Sequence, residues 1–166
     1  ITRKEIEATM ARVRRKLPDV AWRTTFIVGF PTETDQDFEE LVDFVSEGHF
    51  QHLGIFLYSD EDNIRSSKFG DPIPLSLKEE RKNRLMEIQQ KISREHHQKM
   101  VGSLQQVLVG GFSSETDLLL EGRNQYQGPE VDGVVYINEG NATSAGFHQV
   151  EITEAHEYDL VGKILN

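Results

Sequence analysis

Apolar and polar residues along the first half of the chain repeat with the periods of helices and strands. Residues 4–16 place Ile6, Met10 and Val13 on one face, which predicts an amphipathic helix. Residues 24–28 are all β-branched or aromatic, which is typical of a strand buried on both faces. The pattern therefore predicts a helix followed by a buried strand.

A sharp turn and a second helix are predicted after this strand. Gly29 and Pro31 end the strand, and Thr34 with Asp37 forms a capping box at the start of a helix. A second strand is predicted at residues 52–58. This order predicts a βαβ unit, and such units bind ligands beyond the carboxyl ends of their strands. We expect Gly29 to let a flat ligand touch the main chain there.

One long helix is predicted at residues 76–100. Ser76 and Glu79 have the spacing of a second capping box. The apolar stripe of this helix is narrow, which suits a connector that lies along another domain. His96 and His97 stand near its end, but neighbouring helical residues face about 100° apart and cannot share a metal. We expect both histidines to be solvated.

The last third of the chain changes to short β-rich runs between turns that contain glycine. Five strands are predicted, at residues 104–109, 118–121, 134–137, 150–153 and 160–165. Five short strands at this spacing favour a small closed or partly open barrel of the oligonucleotide-binding kind. The predicted fold class is α/β followed by all-β.

Composition bounds the possible classes of protein. The chain has 166 residues, of which 37% are hydrophobic and 28% charged, as in a globular protein. It has no apolar run of membrane-spanning length and no signal peptide, so we expect a cytoplasmic protein without a membrane partner. It begins at Ile1, and we expect it to be a piece of something longer. It has no cysteine, which excludes disulfides and thiolate-ligated clusters within it.

Three strings resemble one family. Residues 27–34, IVGFPTET, resemble the IVGFPGET signature of the methylthiotransferases, a branch of the radical S-adenosylmethionine enzymes, with Thr32 in place of a glycine. Residues 128–137, GPEVDGVVYI, and 157–162, EYDLVG, are similar to strings of the members that modify an aspartate of ribosomal protein S twelve. The tRNA-modifying members usually carry an aspartate where this chain has Thr25.

The resemblance implies an architecture and a reaction. It places the carboxyl-terminal half of a radical S-adenosylmethionine barrel, which is TIM-like, at residues 1–75, a connecting helix at 76–100 and a TRAM domain at 101–166. The family replaces a β-carbon hydrogen of an aspartyl residue with a methylthio group, using S-adenosylmethionine and two 4Fe-4S clusters. Without cysteine, this chain would hold neither cluster and should be inactive alone. Asn63 and Ile64 stand where the family has Gly-Thr.

The resemblance also places the cofactor at the mouth of the βαβ unit. It implies that Ile27 and Gly29 lie against the adenine and that Phe56 and Tyr58 lend main-chain groups to its edge. Glu33 is expected to fix the loop, and no residue of the chain is a convincing acid, base, nucleophile or metal ligand. The predicted cofactor-binding residues are Thr25, Ile27, Gly29, Phe30, Pro31, Glu33, Phe56 and Tyr58.

The two parts of the chain differ in net charge. Residues 101–166 carry two basic and ten acidic side chains, a net charge of −8 out of −10 for the whole chain. Such a surface repels an RNA backbone and attracts a basic protein, which favours ribosomal protein S twelve as partner over nucleic acid. The predicted partner-binding residues are Arg123, Tyr126, Glu130, Asp132, Glu154, Glu157 and Asp159.

Alternatives remain at this point. A tRNA-modifying relative is the second hypothesis, and a basic barrel would favour it. A stand-alone protein-binding module on a degenerate α/β scaffold is the third. Simple solubility would also account for the acidic surface, and residues 27–34 could be a buried strand and turn without a ligand.

Overall fold

Helices and strands alternate in the first hundred residues, and five strands follow them. The computed structural model describes residues 2–61, 66–141 and 145–165, so Asn63 and Ile64 lie outside the described residues. Its elements are α1 (Arg3–Lys16), β1 (Arg23–Val28), α2 (Asp35–Ser46), β2 (His52–Leu57), a short 3₁₀ turn (Ser67–Phe69), α3 (Leu75–Gln98), β3 (Leu104–Phe112), β4 (Leu120–Arg123), β5 (Val135–Glu139), β6 (Gly146–Ala155) and β7 (Leu160–Ile164). The predicted α/β part and all-β part are confirmed.

Strands β1 and β2 pair in parallel, with Arg23 opposite His52 and Val28 opposite Leu57. Helices α2 and α3 cover one face of this pair, and Val28, Ile55 and Leu85 are at the centre of the core between them. The prediction that β1 is buried on both faces is wrong. Its burial alternates, because within the described residues no element covers the second face.

The capping box predicted for α2 is confirmed, whereas that for α3 is wrong. Thr34 accepts the N–H of Asp37, and the Asp37 carboxylate accepts the N–H of Thr34 in return. Helix α3 begins at Leu75 with Pro74 as its N-cap, and it has no side-chain cap. Since Ser76 is already inside the helix, its hydroxyl is not at the position from which a cap is made.

The carboxyl-terminal strands form a closed barrel in the order β3-β4-β5-β7-β6. Its interior is filled by apolar side chains that point inward from every second position, as the alternation along each strand requires. Its fully buried members include Val107, Val135, Val150, Ile152 and Leu160. The five predicted strands are thus confirmed, with β3 and β6 longer than expected.

The barrel packs against the amino-terminal ends of β1 and β2. Arg23 and His52, the first residues of the two strands, contact Asp132 of the barrel. The predicted cofactor end, at Gly29 and Tyr58, lies at the opposite end of the strands. Within the described part of the chain no helix is apolar enough over sufficient length to cross a membrane.

Candidate functional site at the strand ends

The turn after β1 is held by a carboxylate. Gly29 has φ +78°, and its N–H donates to Glu33 Oε2 at 3.0 Å. Glu33 in turn receives a hydrogen bond from Arg81 Nη1 at 2.5 Å. Arg81 is 3% exposed and also donates to Asp35 at 2.6 Å, so the guanidinium ties the turn to the start of α2. Glu33 therefore fixes the loop.

Gly29 serves packing inside the protein. A Cβ atom built on Gly29 would lie 2.4 Å from Cγ of Lys78, so the stem of this lysine fills the space that the missing side chain leaves. The Lys78 ammonium donates to the main-chain oxygen of Tyr58 at 2.8 Å and pairs with Asp71. The N–H of Gly29 is taken by Glu33. A ligand at this end would therefore meet side chains of the neighbouring strand positions rather than Gly29 itself.

An apolar surface opens beside this turn. Ile27 is 57% exposed and lies opposite Phe56, which is 63% exposed. Thr25 points to the same side of β1, two residues earlier. Phe30 continues this surface, and its ring packs edge-on against Tyr58 with the centroids 5.3 Å apart. The exposed side chains can hold a flat aromatic group against the ends of the two strands.

Tyr58 adds an unused hydrogen-bonding group. Its hydroxyl is buried and has no partner among the described residues, while its main-chain N–H is bound to Val28. The exposed side chains of Ile27 and Phe56 can stack against a flat ring such as the adenine of S-adenosylmethionine. Pro31 is half-buried in the same turn.

Four acidic side chains of the barrel lie around Tyr136. Glu121 on β4 lies opposite Tyr136 on β5, and Val161 on β7 separates Tyr136 from Glu154 on β6. Burial raises the pKa of the Tyr136 hydroxyl, and the carboxylates of Glu115, Asp159 and Glu121 raise it further. We call this surface the acidic face, which consists of Glu115, Glu121, Glu154 and Asp159 around Tyr136.

A second part of the barrel surface carries mainly amide and apolar side chains, with Arg123 on β4 at one edge and the Glu151–Lys163 pair at the other. Gln106 of β3 lies opposite Gln149 of β6, and Leu108 lies between Phe147 and Arg123. We call this surface the amide face. Of the predicted partner-binding residues, Glu154 and Asp159 thus lie on the acidic face, and Arg123 lies away from them.

The other predicted partner-binding residues have separate positions. Glu130 is exposed in the loop before β5 with φ +64°, and Glu157 lies 3.4 Å from Arg94 of α3. Tyr126 and Asp132 lie in the junction between the two parts. The Asp132 side chain is 5% exposed and pairs with Arg23 and His52, which leaves little of it for an outside partner.

Sequence reasoning missed a stripe of buried polar side chains along α3. Lys78, Arg81, Gln89, Ser93 and His97 are all buried, and together with the apolar Leu85 they recur every three or four residues. The stripe reaches from the Gly29 turn to the barrel. There the Ser93 hydroxyl donates to the main-chain oxygen of Glu157 at 2.6 Å, and His97 Nδ1 lies 3.0 Å from the main-chain oxygen of His156. The expectation of a solvated His97 is therefore wrong. Its helical spacing was the available signal.

Comparison with known proteins gives the context for both surfaces. The TRAM domain family matches residues 101–165. Proteins named ribosomal protein uS12 methylthiotransferase RimO are similar over almost the whole chain. The relative from Bdellovibrio bacteriovorus is 48% identical over 99% of this chain and 36% of its own length. Those from Desulfotalea psychrophila and Geobacter sulfurreducens are 45% and 41% identical, each over 99% of this chain and 37% of their own length.

The chain belongs to the RimO methylthiotransferase family. The resemblance found in residues 27–34, 128–137 and 157–162 is thereby confirmed. The chain spans a little over a third of the length of these RimO relatives.

The junction of this RimO-type chain contains a histidine whose protonation is fixed by its neighbours. Gln51 Oε1 accepts the N–H of Trp22 at 2.7 Å, so Gln51 Nε2 is the donor that lies 3.3 Å from His96 Nε2. His96 Nε2 therefore accepts this hydrogen bond and carries no proton, so the imidazole ring is neutral. Burial lowers the pKa of His96, and Lys99 lowers it further. Burial likewise lowers the pKa of His52, which Asp132 partly offsets.

We expect the protein to lose stability as the pH falls below 6.5, the ordinary pKa of these histidines. The unfolded chain then binds protons that the folded chain binds more weakly, so folding is favoured at higher pH. His96→Gln should make this dependence shallower, and urea denaturation across a pH series measures it. Lys91→Gln, an exposed change on the same helix, is the control. An unchanged slope in His96→Gln would contradict the assignment.

Proposed function

We propose that this chain is the carboxyl-terminal part of an enzyme that adds a methylthio group to the β-carbon of an aspartate in ribosomal protein uS12. The names of the relatives support the substrate and the reaction. We place the end of a radical S-adenosylmethionine barrel at residues 1–75, a connecting helix at 76–100 and the TRAM domain at 101–166. The enzyme would act in the cytoplasm.

The cofactors of this reaction would be S-adenosylmethionine and two 4Fe-4S clusters, which supply the methyl group, the radical and the sulfur chemistry. The chain has no cysteine, so both clusters would be held by residues outside it. The part of this chain would be to seat the adenosyl group on Thr25, Ile27, Phe30 and Phe56. Glu33 and Arg81 would keep the turn in place, and neither would move a proton.

The acidic face is the observation that carries the substrate proposal. Its four carboxylates lie around Tyr136, within a module of net charge −8. A basic ribosomal protein is steered to such a surface, whereas the phosphates of RNA are repelled from it. The TRAM domain would therefore hold uS12, with Glu154 and Asp159 among the contacts.

Charge reversal in the complete enzyme tests this proposal. Glu121→Lys together with Glu154→Lys should raise KM for uS12 by about tenfold and leave kcat nearly unchanged. The reason is that the substitutions weaken binding of uS12 but do not touch the groups that take part in the chemical step. The readout is methylthiolation of uS12 by mass spectrometry. Gln106→Lys with Gln149→Lys introduces two lysines on the amide face and should leave KM unchanged. Equal effects of the two pairs would contradict docking on the acidic face.

A further inference from the structure

A cleft separates the first residues of the βαβ unit, the end of α3 and the barrel. Its volume is about 370 Å³, which is in the range of small-molecule sites. The lining residues that matter here are Gln51, His96, Lys99, Ser103, Asn124 and Gln127. The cleft lies at the amino-terminal ends of β1 and β2, away from the proposed adenosyl platform, and the proposed reaction does not use it.

Two buried amides line this cleft, and their orientations are fixed. Asn124 is 4% and Gln127 is 7% exposed. Asn124 Oδ1 accepts the N–H of Tyr126 at 2.9 Å, and Gln127 Oε1 accepts the N–H of Asn124 at 3.0 Å. Because main-chain N–H groups can only donate, each side chain must present its NH₂ group on the other side.

Neither NH₂ group has a partner among the described residues. Asn124 Nδ2 and Gln127 Nε2 are both buried and unpaired there. A buried donor without an acceptor is unfavourable, so two in one short loop indicate that an acceptor belongs beside them.

The charge of the cleft also favours an acceptor. Lys99 lines it, and the single carboxylate in its described lining is that of Asp19. His52 and His96 also line it, but their lowered pKa values mean that they add no positive charge at neutral pH. The barrel as a whole has ten acids against two bases. An anion therefore meets less repulsion in this cleft than on the acidic surface of the barrel as a whole.

We propose that this cleft binds a small oxyanion, a phosphate or carboxylate group of a low-molecular-weight ligand. The oxyanion accepts hydrogen bonds from Asn124 Nδ2 and Gln127 Nε2, and it pairs with the Lys99 ammonium. Since Gln51 and Asn124 come from the two parts of the chain, a bound ligand bridges them and holds them in one orientation.

Side-chain NH₂ resonances report this binding directly. The isotope-labelled chain is titrated with inorganic phosphate in one arm and with succinate in the other, at constant ionic strength and pH. We expect saturable shifts of the Asn124 and Gln127 NH₂ signals in at least one arm, and the arm with tighter binding identifies the oxyanion. The NH₂ signal of Gln106 on the amide face is the internal control. No saturable shift in either arm would mean that water alone fills the cleft, and the proposal would be overturned.

Substitutions then separate this site from general ion binding. Gln127→Glu and Asn124→Asp keep the oxygen that accepts the main-chain N–H and replace the unpaired donor with an acceptor, so binding should weaken by about tenfold or more. Lys99→Met, an exposed change that does not threaten folding, should weaken it as well. Gln106→Glu adds the same charge outside the cleft and should have little effect. Unchanged affinity in Lys99→Met and Gln127→Glu would overturn the proposal.

Discussion

Replacing Arg81 with alanine is expected to lower the free energy of unfolding by about 3 kcal/mol, the usual result of leaving a buried charge without its partner. Arg81 is 3% exposed and neutralises Glu33, whose side chain is 11% exposed. Glu33 also holds the N–H of Gly29. The substitution should therefore loosen the turn between β1 and α2 as well as destabilise the fold, as urea denaturation and amide exchange at Gly29 would show.

Arg84→Ala provides a matched control for this experiment. Arg84 makes a bidentate pair with Glu39 between the same two helices, but both side chains are about half exposed. Solvent-exposed ion pairs contribute little to stability, so we expect Arg84→Ala to change the free energy of unfolding only slightly. If Arg81→Ala and Arg84→Ala proved equally mild, the Glu33 carboxylate would not depend on Arg81 and the description of the turn would be wrong.

Gly29→Ala is expected to destabilise the protein by a similar amount, about 3 kcal/mol. The positive φ of +78° disfavours any side chain there, and the new Cβ would overlap the Lys78 stem at 2.4 Å. These are two separate penalties, of about 1–2 and 1–3 kcal/mol. Chemical denaturation of the variant measures their sum.

A double-mutant cycle separates the two penalties. Lys78→Ala removes the stem with which the new Cβ collides, so Gly29→Ala should be less harmful in that background, by about 1 kcal/mol or more. The backbone penalty remains in both backgrounds. Strictly additive effects would contradict the contact between Gly29 and Lys78, and they would return Gly29 to the role expected from the sequence, that of admitting a ligand to the main chain.

Local patterns predicted the elements well. The β-branched run before Gly29, the Thr34 cap and the five runs of the barrel each depend on a few neighbouring residues, so the sequence alone was sufficient. Burial was harder to predict. Thr25 and Ile27 have the composition of a strand buried on both faces, but they are exposed because burial is decided by elements elsewhere in the chain.

The buried polar stripe of α3 could not be predicted for a similar reason. Lys78, Gln89 and Ser93 have the residue types of a solvated helix surface. They are buried because main-chain oxygens of Tyr58, Phe50 and Glu157 lie within hydrogen-bonding distance of them. Those partners are 20, 39 and 64 residues away along the chain, and only the fold brings them together.

The choice of partner separates the proposed function from its rival, in which the substrate is tRNA. The most direct measurement is calorimetric titration of this chain with purified uS12 and, separately, with tRNA, at two salt concentrations. We predict binding to uS12 that weakens with salt and is lost on combining Glu121→Lys with Glu154→Lys, together with no binding to tRNA. Binding to tRNA at moderate salt, without binding to uS12, would contradict the proposed function.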